Sequence, residues 1–139
     1  MSSEAARTAA LLTNARDALE RYHEVFVDDD GALTFRHTQV PCAVQAMELA
    51  EGLNVLSLTC VVAWDLPDEP VTVASAAERG GEALFGTVTV VHTDRGIDVT
   101  LRYTFPAEGL DVTALGTLLM LVVSGASQLR IDLLAGSDR

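Results

Sequence analysis

Apolar residues spaced three and four positions apart predict a helix near each end of the chain. In the N-terminal segment, Leu12, Ala15, Leu19 and Tyr22 fall on one side of such a helix. The C-terminal segment follows Asp111, whose side chain is suited to cap a helix. Its regularly spaced apolar positions are Val112, Leu115, Leu119, Val122, Ala126, Leu129 and Leu133.

A hairpin is predicted between Gly86–His92 and Ile97–Phe105, which Thr93–Gly96 joins. A four-residue loop places apolar residues opposite apolar residues on one face and polar residues opposite polar residues on the other. On one face His92 is predicted to pair with Ile97, Val90 with Val99, and Val88 with Leu101, so the apolar residues among them share that face. On the other face Thr89 pairs with Thr100 and Thr87 with Arg102.

An earlier hairpin is predicted around Asp28-Asp29-Asp30-Gly31, because Asp-Gly between two short β-prone segments is a turn signal. A four-residue loop would pair Val27 with Ala32 and Phe26 with Leu33. Phe26 and Leu33 would then share one face of the sheet.

The middle of the chain holds a strand, an ambiguous segment and a helix. Leu53–Trp64 alternates as a strand with one dominant buried face should, and that face includes Trp64. Pro41–Glu51 is compatible with either a short helix or a strand. Asp68 and Pro70 begin a second helix, whose apolar side is predicted to carry Val71, Ala74 and Ala77.

The element order is therefore helix, three or four strands, helix, two strands, helix. This order predicts an α+β fold, with an antiparallel sheet of five to six strands and helices at the N-terminus, middle and C-terminus. The 139 residues contain 49% hydrophobic residues, enough for one core, and no linker or repeat divides them. We predict a single domain spanning residues 1–139.

The balance of acidic and basic residues excludes several classes of function. The chain carries a formal net charge of −11, and all nine of its basic residues are Arg. The absence of Lys excludes Schiff-base, phosphate-loop and kinase lysine chemistry. Strong acidity disfavours nucleic acids and anionic membrane surfaces as partners. It is compatible with simple solubility or with attraction of a basic partner.

No catalytic, cofactor-binding or metal-binding residues are predicted. The Asp28–Gly31 loop fails the calcium-loop pattern, since alignment on Gly31 puts Phe26 and His37 at ligand positions. His23, His37 and His92 lack a metal-binding spacing, although His37 and His92 could approach each other at strand ends. There is no Gly-x-Ser-x-Gly motif. The chain is therefore predicted not to be an enzyme and to need no cofactor.

The two cysteines, Cys42 and Cys60, are predicted to be reduced and mostly buried. If a two-residue turn at Glu51-Gly52 joins their strands, Cys42 faces Val61 and lies on the opposite face from Cys60. A three-residue loop would put the two thiols on one face, but diagonal to each other. Neither register favours a disulfide.

A cytoplasmic location is expected. The chain begins with polar and alanine-rich sequence rather than a secretory signal. In the uncharged segment Val112–Leu129, the continuous apolar stretch is only Leu118–Val123, which is too short to cross a bilayer.

The C-terminal helix is apolar on more than one side, because Leu118, Met120 and Leu121 cannot face the sheet together with Leu115 and Leu119. The extra residues must meet the first helix, a second chain or solvent. Trp64 is either a core anchor or an aromatic residue of a binding face. We take Trp64, Leu118, Met120 and Leu121 as the candidate partner or dimer surface, and we predict a homodimer.

The element order and several segments resemble the YbjN family, bacterial domains with a fold like that of type III secretion chaperones. The matching segments cover nearly the whole chain and are FVDDDGALTFR (Phe26–Arg36), EGLNVLSLTCVVAWDLP (Glu51–Pro67), DEP (Asp68–Pro70), GTVTVVHTDRGIDVTLRYTF (Gly86–Phe105) and GLDVTAL (Gly109–Leu115). The resemblance favours a strand at Pro41–Glu51. It also implies a regulator or binding adaptor without established enzyme activity.

The sequence therefore predicts a non-catalytic protein-binding or regulatory module of the YbjN type. Secretion chaperones are small, acidic and dimeric, so a client binder of that kind is the first alternative. A small-ligand-binding protein with a site built from scattered polar residues is the second.

Overall fold

The computed structural model describes residues 3–137 and, within them, the side chains of residues 5–135. It is α+β, as predicted, with the helices and strands in the predicted order. The elements are α1 (Ser3–Glu20), β1 (Phe26–Val27), β2 (Leu33–His37), β3 (Val40–Ala50), β4 (Leu53–Leu66), α2 (Pro70–Gly80), β5 (Thr87–Thr93), β6 (Gly96–Pro106) and α3 (Val112–Ser137).

The strands form one antiparallel sheet of six strands in the order β1-β2-β3-β4-β6-β5. The predicted β5–β6 register is confirmed at every pair named above. The ladder continues by one further pair, Thr93 with Gly96, so the turn itself is Asp94-Arg95. The edges of the described sheet are β1 and β5.

The register predicted for the first hairpin is wrong by one residue. Val27 pairs with Leu33 and Phe26 with Thr34, so Phe26 lies on the face opposite Leu33 and is exposed. The Asp28 carboxylate accepts hydrogen bonds from the backbone N–H groups of Asp30 and Ala32, and Gly31 has a φ of +84°. The backbone N–H of Asp28 also donates to the carbonyl oxygen of Ala32, which extends the ladder to this pair and leaves a three-residue loop that needs glycine at its last position.

The ambiguous segment Pro41–Glu51 is a strand as far as Ala50, as the resemblance favoured, and Glu51-Gly52 forms the turn after it. A β-bulge between Glu48 and Ala50 adds one residue to β3, which shifts the register with β4 by one. Cys42 therefore lies directly opposite Cys60 rather than Val61. The predicted separation of the two thiols is wrong for this reason.

The core lies between one face of the sheet and the two long helices. The predicted apolar stripe of α3 is confirmed from Leu115 onward, since Leu115, Leu119, Val122, Ala126, Leu129 and Leu133 are all buried, while Val112 is only partly buried. Helix α1 contributes Leu11, Ala15 and Leu19 to the same core, while Tyr22 stays half-exposed. The buried amide of Asn54 on β4 accepts a hydrogen bond from the Thr8 hydroxyl of α1 at 2.5 Å.

Helix α2 packs with a different side from the one predicted. Val71, Ala74 and Ala77 are exposed, whereas Ala76 is fully buried and Val73 is partly buried against the core. Gly80, one turn after Ala76, explains why this side of α2 is buried. A Cβ at Gly80 would lie 2.7 Å from the Cβ of Val88, so only glycine lets this end of α2 approach β5.

Two irregularities near the end of β4 turn Trp64 outward. The register with β6 shifts between Val61 and Ala63 and again between Ala63 and Leu66, and Asp65 has a φ of +56°. Ala63 and Leu66 are therefore buried in place of Trp64. The expected burial of Trp64 as a core anchor is wrong, because the alternation of β4 breaks before it reaches that residue.

Candidate interaction surface

An apolar groove of about 260 Å³ lies between α3 and the segment that joins α2 to β5. One wall comes from Leu84 and Phe85 in that segment, and the other from Leu121, Val122 and Leu129 on α3. Leu101 of β6 also lines the groove. We call these residues, with the rim described below, the α3 groove.

Two leucines at the mouth of the α3 groove are exposed to solvent. Leu84 is 84% exposed and Leu121 is 55% exposed. Phe85 is held in place by Tyr103, whose ring centroid lies 5.5 Å away. Gly125 on the α3 wall faces open space, since a Cβ added there would meet nothing within 4 Å. The groove thus combines a fixed aromatic wall with two leucines that water contacts.

Charged groups line the rim of the α3 groove. Arg79 of α2 and Asp132 of α3 form an ion pair at 3.7 Å, and Gln128 donates a hydrogen bond to Asp132 at 3.0 Å. Glu82 completes the rim. An apolar floor with a charged rim is the usual composition of a protein interface.

The four predicted surface residues do not form one surface. Leu121 lines the α3 groove, whereas Leu118 is partly buried against the core. Met120 is also partly buried, and it lies one turn after Gly116, where an added Cβ would come within 4 Å of Ala18 in α1 and of Tyr22 just after that helix. The first helix therefore covers part of the apolar surplus of α3.

Trp64 is exposed at 41%, as a binding-face residue would be, but it does not line the α3 groove. The Arg130 guanidinium lies 4.7 Å from the centre of its ring, and Arg130 also donates a hydrogen bond to the carbonyl of Val62. Sequence reasoning missed Leu84 and Phe85. Their signal is an adjacent apolar pair in a glycine-bounded segment, where no periodicity marks it.

The histidines pair differently from the expectation. Nε2 of His23 lies 2.9 Å from Nδ1 of His37, while His92 lies 3.1 Å from the Asp68 carboxylate. A site shared by His37 and His92 is thus not formed. Within residues 3–137, no group of three or more His, Cys, Asp or Glu side chains is placed to hold a metal ion.

The His23–His37 contact makes stability depend on pH. Burial and the charge of His37 lower the pKa of His23 below its usual value near 6.5. Below about pH 6.5 the unfolded chain therefore binds more protons at this position than the folded chain. The stability that neutral His23 contributes is complete above that pH and is lost as the pH falls below it.

We expect thermal melts of wild type and His23→Gln to converge as the pH falls from about 7.5 to about 5.5. The comparison is needed because acidification also reduces the net negative charge of both proteins. His92→Gln is the control, since His92 is exposed. An identical pH response in wild type and His23→Gln would contradict the assignment.

Comparison with known proteins addresses the fold. A crystal structure of YbjN from E. coli, described as a candidate transcription regulator, superposes with a TM-score of 0.61 at 13% sequence identity. The match covers 90% of this chain and 92% of that chain. The chain has a YbjN-like fold. No protein-family model matches the sequence, and no curated protein matches it.

The YbjN-like fold confirms the resemblance drawn from the sequence at the level of architecture. At this identity the likeness reaches the fold alone. Function must therefore be argued from the surfaces of this chain, foremost among them the α3 groove.

Within the YbjN-like fold, α3 is the one described helix that is long and apolar enough to cross a membrane. Its segment Val112–Ala135 has 24 residues and a mean hydropathy of 1.7. Length and composition are weak evidence, because core helices of soluble proteins meet the same criteria. In this fold, the regular apolar stripe of α3 packs on the sheet.

Proposed function

We propose that this protein is a non-catalytic protein-binding module whose α3 groove receives a segment of a partner protein. The proposal rests on the groove itself, which has Leu84 and Leu121 exposed at its mouth. Leaving such apolar surface in water costs about 25 cal/mol per Å², so a partner that covers it gains that free energy.

The partner segment is expected to carry apolar side chains flanked by Lys or Arg. The apolar side chains match the floor of the groove. The basic flanks match Glu82 on the rim and the formal net charge of −11. A field of this sign speeds encounter with a basic partner and slows encounter with an acidic one.

A regulatory role, such as the one described for YbjN of E. coli, would act through this partner. The cytoplasm is the proposed location, and the proposal involves no enzyme activity, nucleic acid or membrane. Turnover of any substrate that disappears on a single substitution would contradict the non-catalytic part.

Peptide-display selection on the immobilised protein tests the proposal. We expect enriched peptides to share apolar anchors flanked by Lys or Arg, and their affinity to fall as salt rises. Leu84→Asp and Leu121→Asp should each weaken binding of a selected peptide by about tenfold or more, since both place a charge in the apolar mouth.

Ile131→Asp is the matched control. Ile131 lies on the same helix and is 58% exposed, close to the 55% of Leu121, but it does not line the groove. Binding should be unchanged in this variant. Selection of acidic peptides, or equal losses in Leu121→Asp and Ile131→Asp, would contradict the proposal.

Light scattering across a tenfold concentration range separates a foreign partner from a second copy of the chain. The predicted homodimer would raise the mass from 14.8 kDa towards twice that value. If Leu121→Asp abolishes the increase while Ile131→Asp does not, the occupant of the groove is a second copy. A foreign partner is then excluded as its main occupant.

A further inference from the structure

Cys42 and Cys60 form a close pair in the centre of the sheet. They are direct partners across β3 and β4, and their Sγ atoms lie 3.7 Å apart. Both side chains are buried, with exposures of 5% and 0%, and both are free thiols. Directly opposed cysteines whose sulfurs already touch need only a small side-chain rotation to reach bonding distance.

Burial in the core between the sheet and the helices protects this pair from small oxidants. The hydrogen bond with Cys42, together with burial, raises the pKa of the Cys60 thiol. Thiolates, rather than thiols, attack disulfides, so the pair reacts slowly while it stays buried. Any reaction must therefore begin with local opening.

The edge of the sheet next to Cys42 is the place where opening costs least. Cys42 pairs with Phe35 of β2, whereas β1 pairs only with Leu33 and Thr34. One five-residue strand, β2, is thus all that separates Cys42 from the sheet edge. Short edge strands open at lower free energy than the centre of a sheet. Cys60, on β4, lies one strand further in.

We propose that Cys42 and Cys60 are a redox modification site, which a small-molecule disulfide oxidises to an intrachain disulfide linking β3 and β4. When β2 opens, the Cys42 thiolate attacks one sulfur of the small disulfide and releases its other half as a thiolate. The Cys60 thiolate then attacks Sγ of Cys42 and releases the second half. Two S–H bonds are lost and one S–S bond forms. The oxidant is reduced to two thiols, which take up the two protons.

The test uses the full-length protein, incubated under native conditions with oxidised glutathione. Mass spectrometry should show the loss of two hydrogen atoms without a glutathione adduct, and peptide mapping should join Cys42 to Cys60. The disulfide closes a loop of about 19 residues. It should therefore raise the melting temperature by roughly 5–10 °C, and dithiothreitol should reverse the increase.

Low concentrations of urea should accelerate the oxidation several-fold, because they favour local opening. In Cys60→Ala, Cys42 should instead stop at the mixed disulfide with glutathione and gain no thermal stability. If this variant fails to fold, the mass and peptide map of the oxidised wild-type protein still test the proposal.

Three outcomes would overturn the proposal. The first is a stable glutathione adduct on wild-type Cys42, and the second is a disulfide between two chains. The third is a native protein that stays unreacted under conditions where the urea-unfolded chain forms the intrachain bond. None of these results depends on what occupies the α3 groove.

Discussion

Gly96→Ala should lower the free energy of unfolding by about 3 kcal/mol or more. Gly96 ends the tight turn between β5 and β6 with a φ of +135°, a conformation that L side chains rarely adopt. A Cβ at this position would also overlap the carbonyl oxygen of Leu66 on β4. The backbone of β4 cannot withdraw without breaking the pair between Leu66 and Ile97. Urea unfolding monitored by circular dichroism measures the loss.

Gly31→Ala and Gly52→Ala separate backbone strain from the steric overlap. Both glycines have a positive φ, +84° and +77°, but a Cβ at either site would meet nothing within 4 Å. Each substitution should cost about 1 kcal/mol, the strain alone. Equal losses at all three positions would show that the approach of β4 to the turn is not what demands glycine at Gly96.

The second large effect is expected for Leu119→Ala, which should lower the free energy of unfolding by about 3–4 kcal/mol. Leu119 is fully buried at the centre of the α3 stripe, so truncation leaves a cavity between the helix and the sheet. Leu121→Ala, two residues along the same helix and 55% exposed, should change stability by less than about 0.5 kcal/mol.

The two leucines should also differ in binding. Leu121→Ala should weaken the selected peptides because Leu121 lines the α3 groove, whereas Leu119 does not. Paired measurements of unfolding and peptide affinity would resolve this. A large loss of stability in Leu121→Ala would mean that α3 is rotated from the orientation described here.

The sequence was sufficient where the alternation of side chains and the loop length agreed. The β5–β6 register followed from both strands, since Val90 and Val99 share a face only if the loop has an even number of residues, and the two-residue turn keeps the pairs that a four-residue loop predicts. The same holds for α3, whose three- and four-residue spacing identified the buried stripe and the capping residue Asp111. In the β5–β6 hairpin and in α3, the local sequence pattern and the tertiary packing favour the same structure.

Single extra residues in strands explain most of the errors. The bulge at Leu49 carries no composition signal, yet it decides whether Cys42 faces Val61 or Cys60. The irregularities after Val61 likewise decide that Trp64 leaves the core. A bulge reflects the fit of two strands to each other, so neither strand reveals it alone.

Only part of the α3 groove could be predicted from the sequence, for a related reason. Leu121 was predicted because its helix has more apolar sides than one sheet can cover. Leu84 and Phe85 were missed because they lie outside any periodic element, and only the packing of α2 against β5 brings them to α3. Gly80, which permits that packing, resembles an ordinary helix terminator in the sequence.

Because β5 is an exposed edge strand, the net negative charge of this protein also helps to keep its copies apart in solution. β5 has seven residues, no Lys and no Pro, and Val91 on it is 44% exposed, so its free backbone groups are a template for another strand. Electrostatic repulsion between copies opposes this pairing at neutral pH. Near the isoelectric point of about 4.4 that repulsion vanishes, and we expect copies of the chain to associate there through β5.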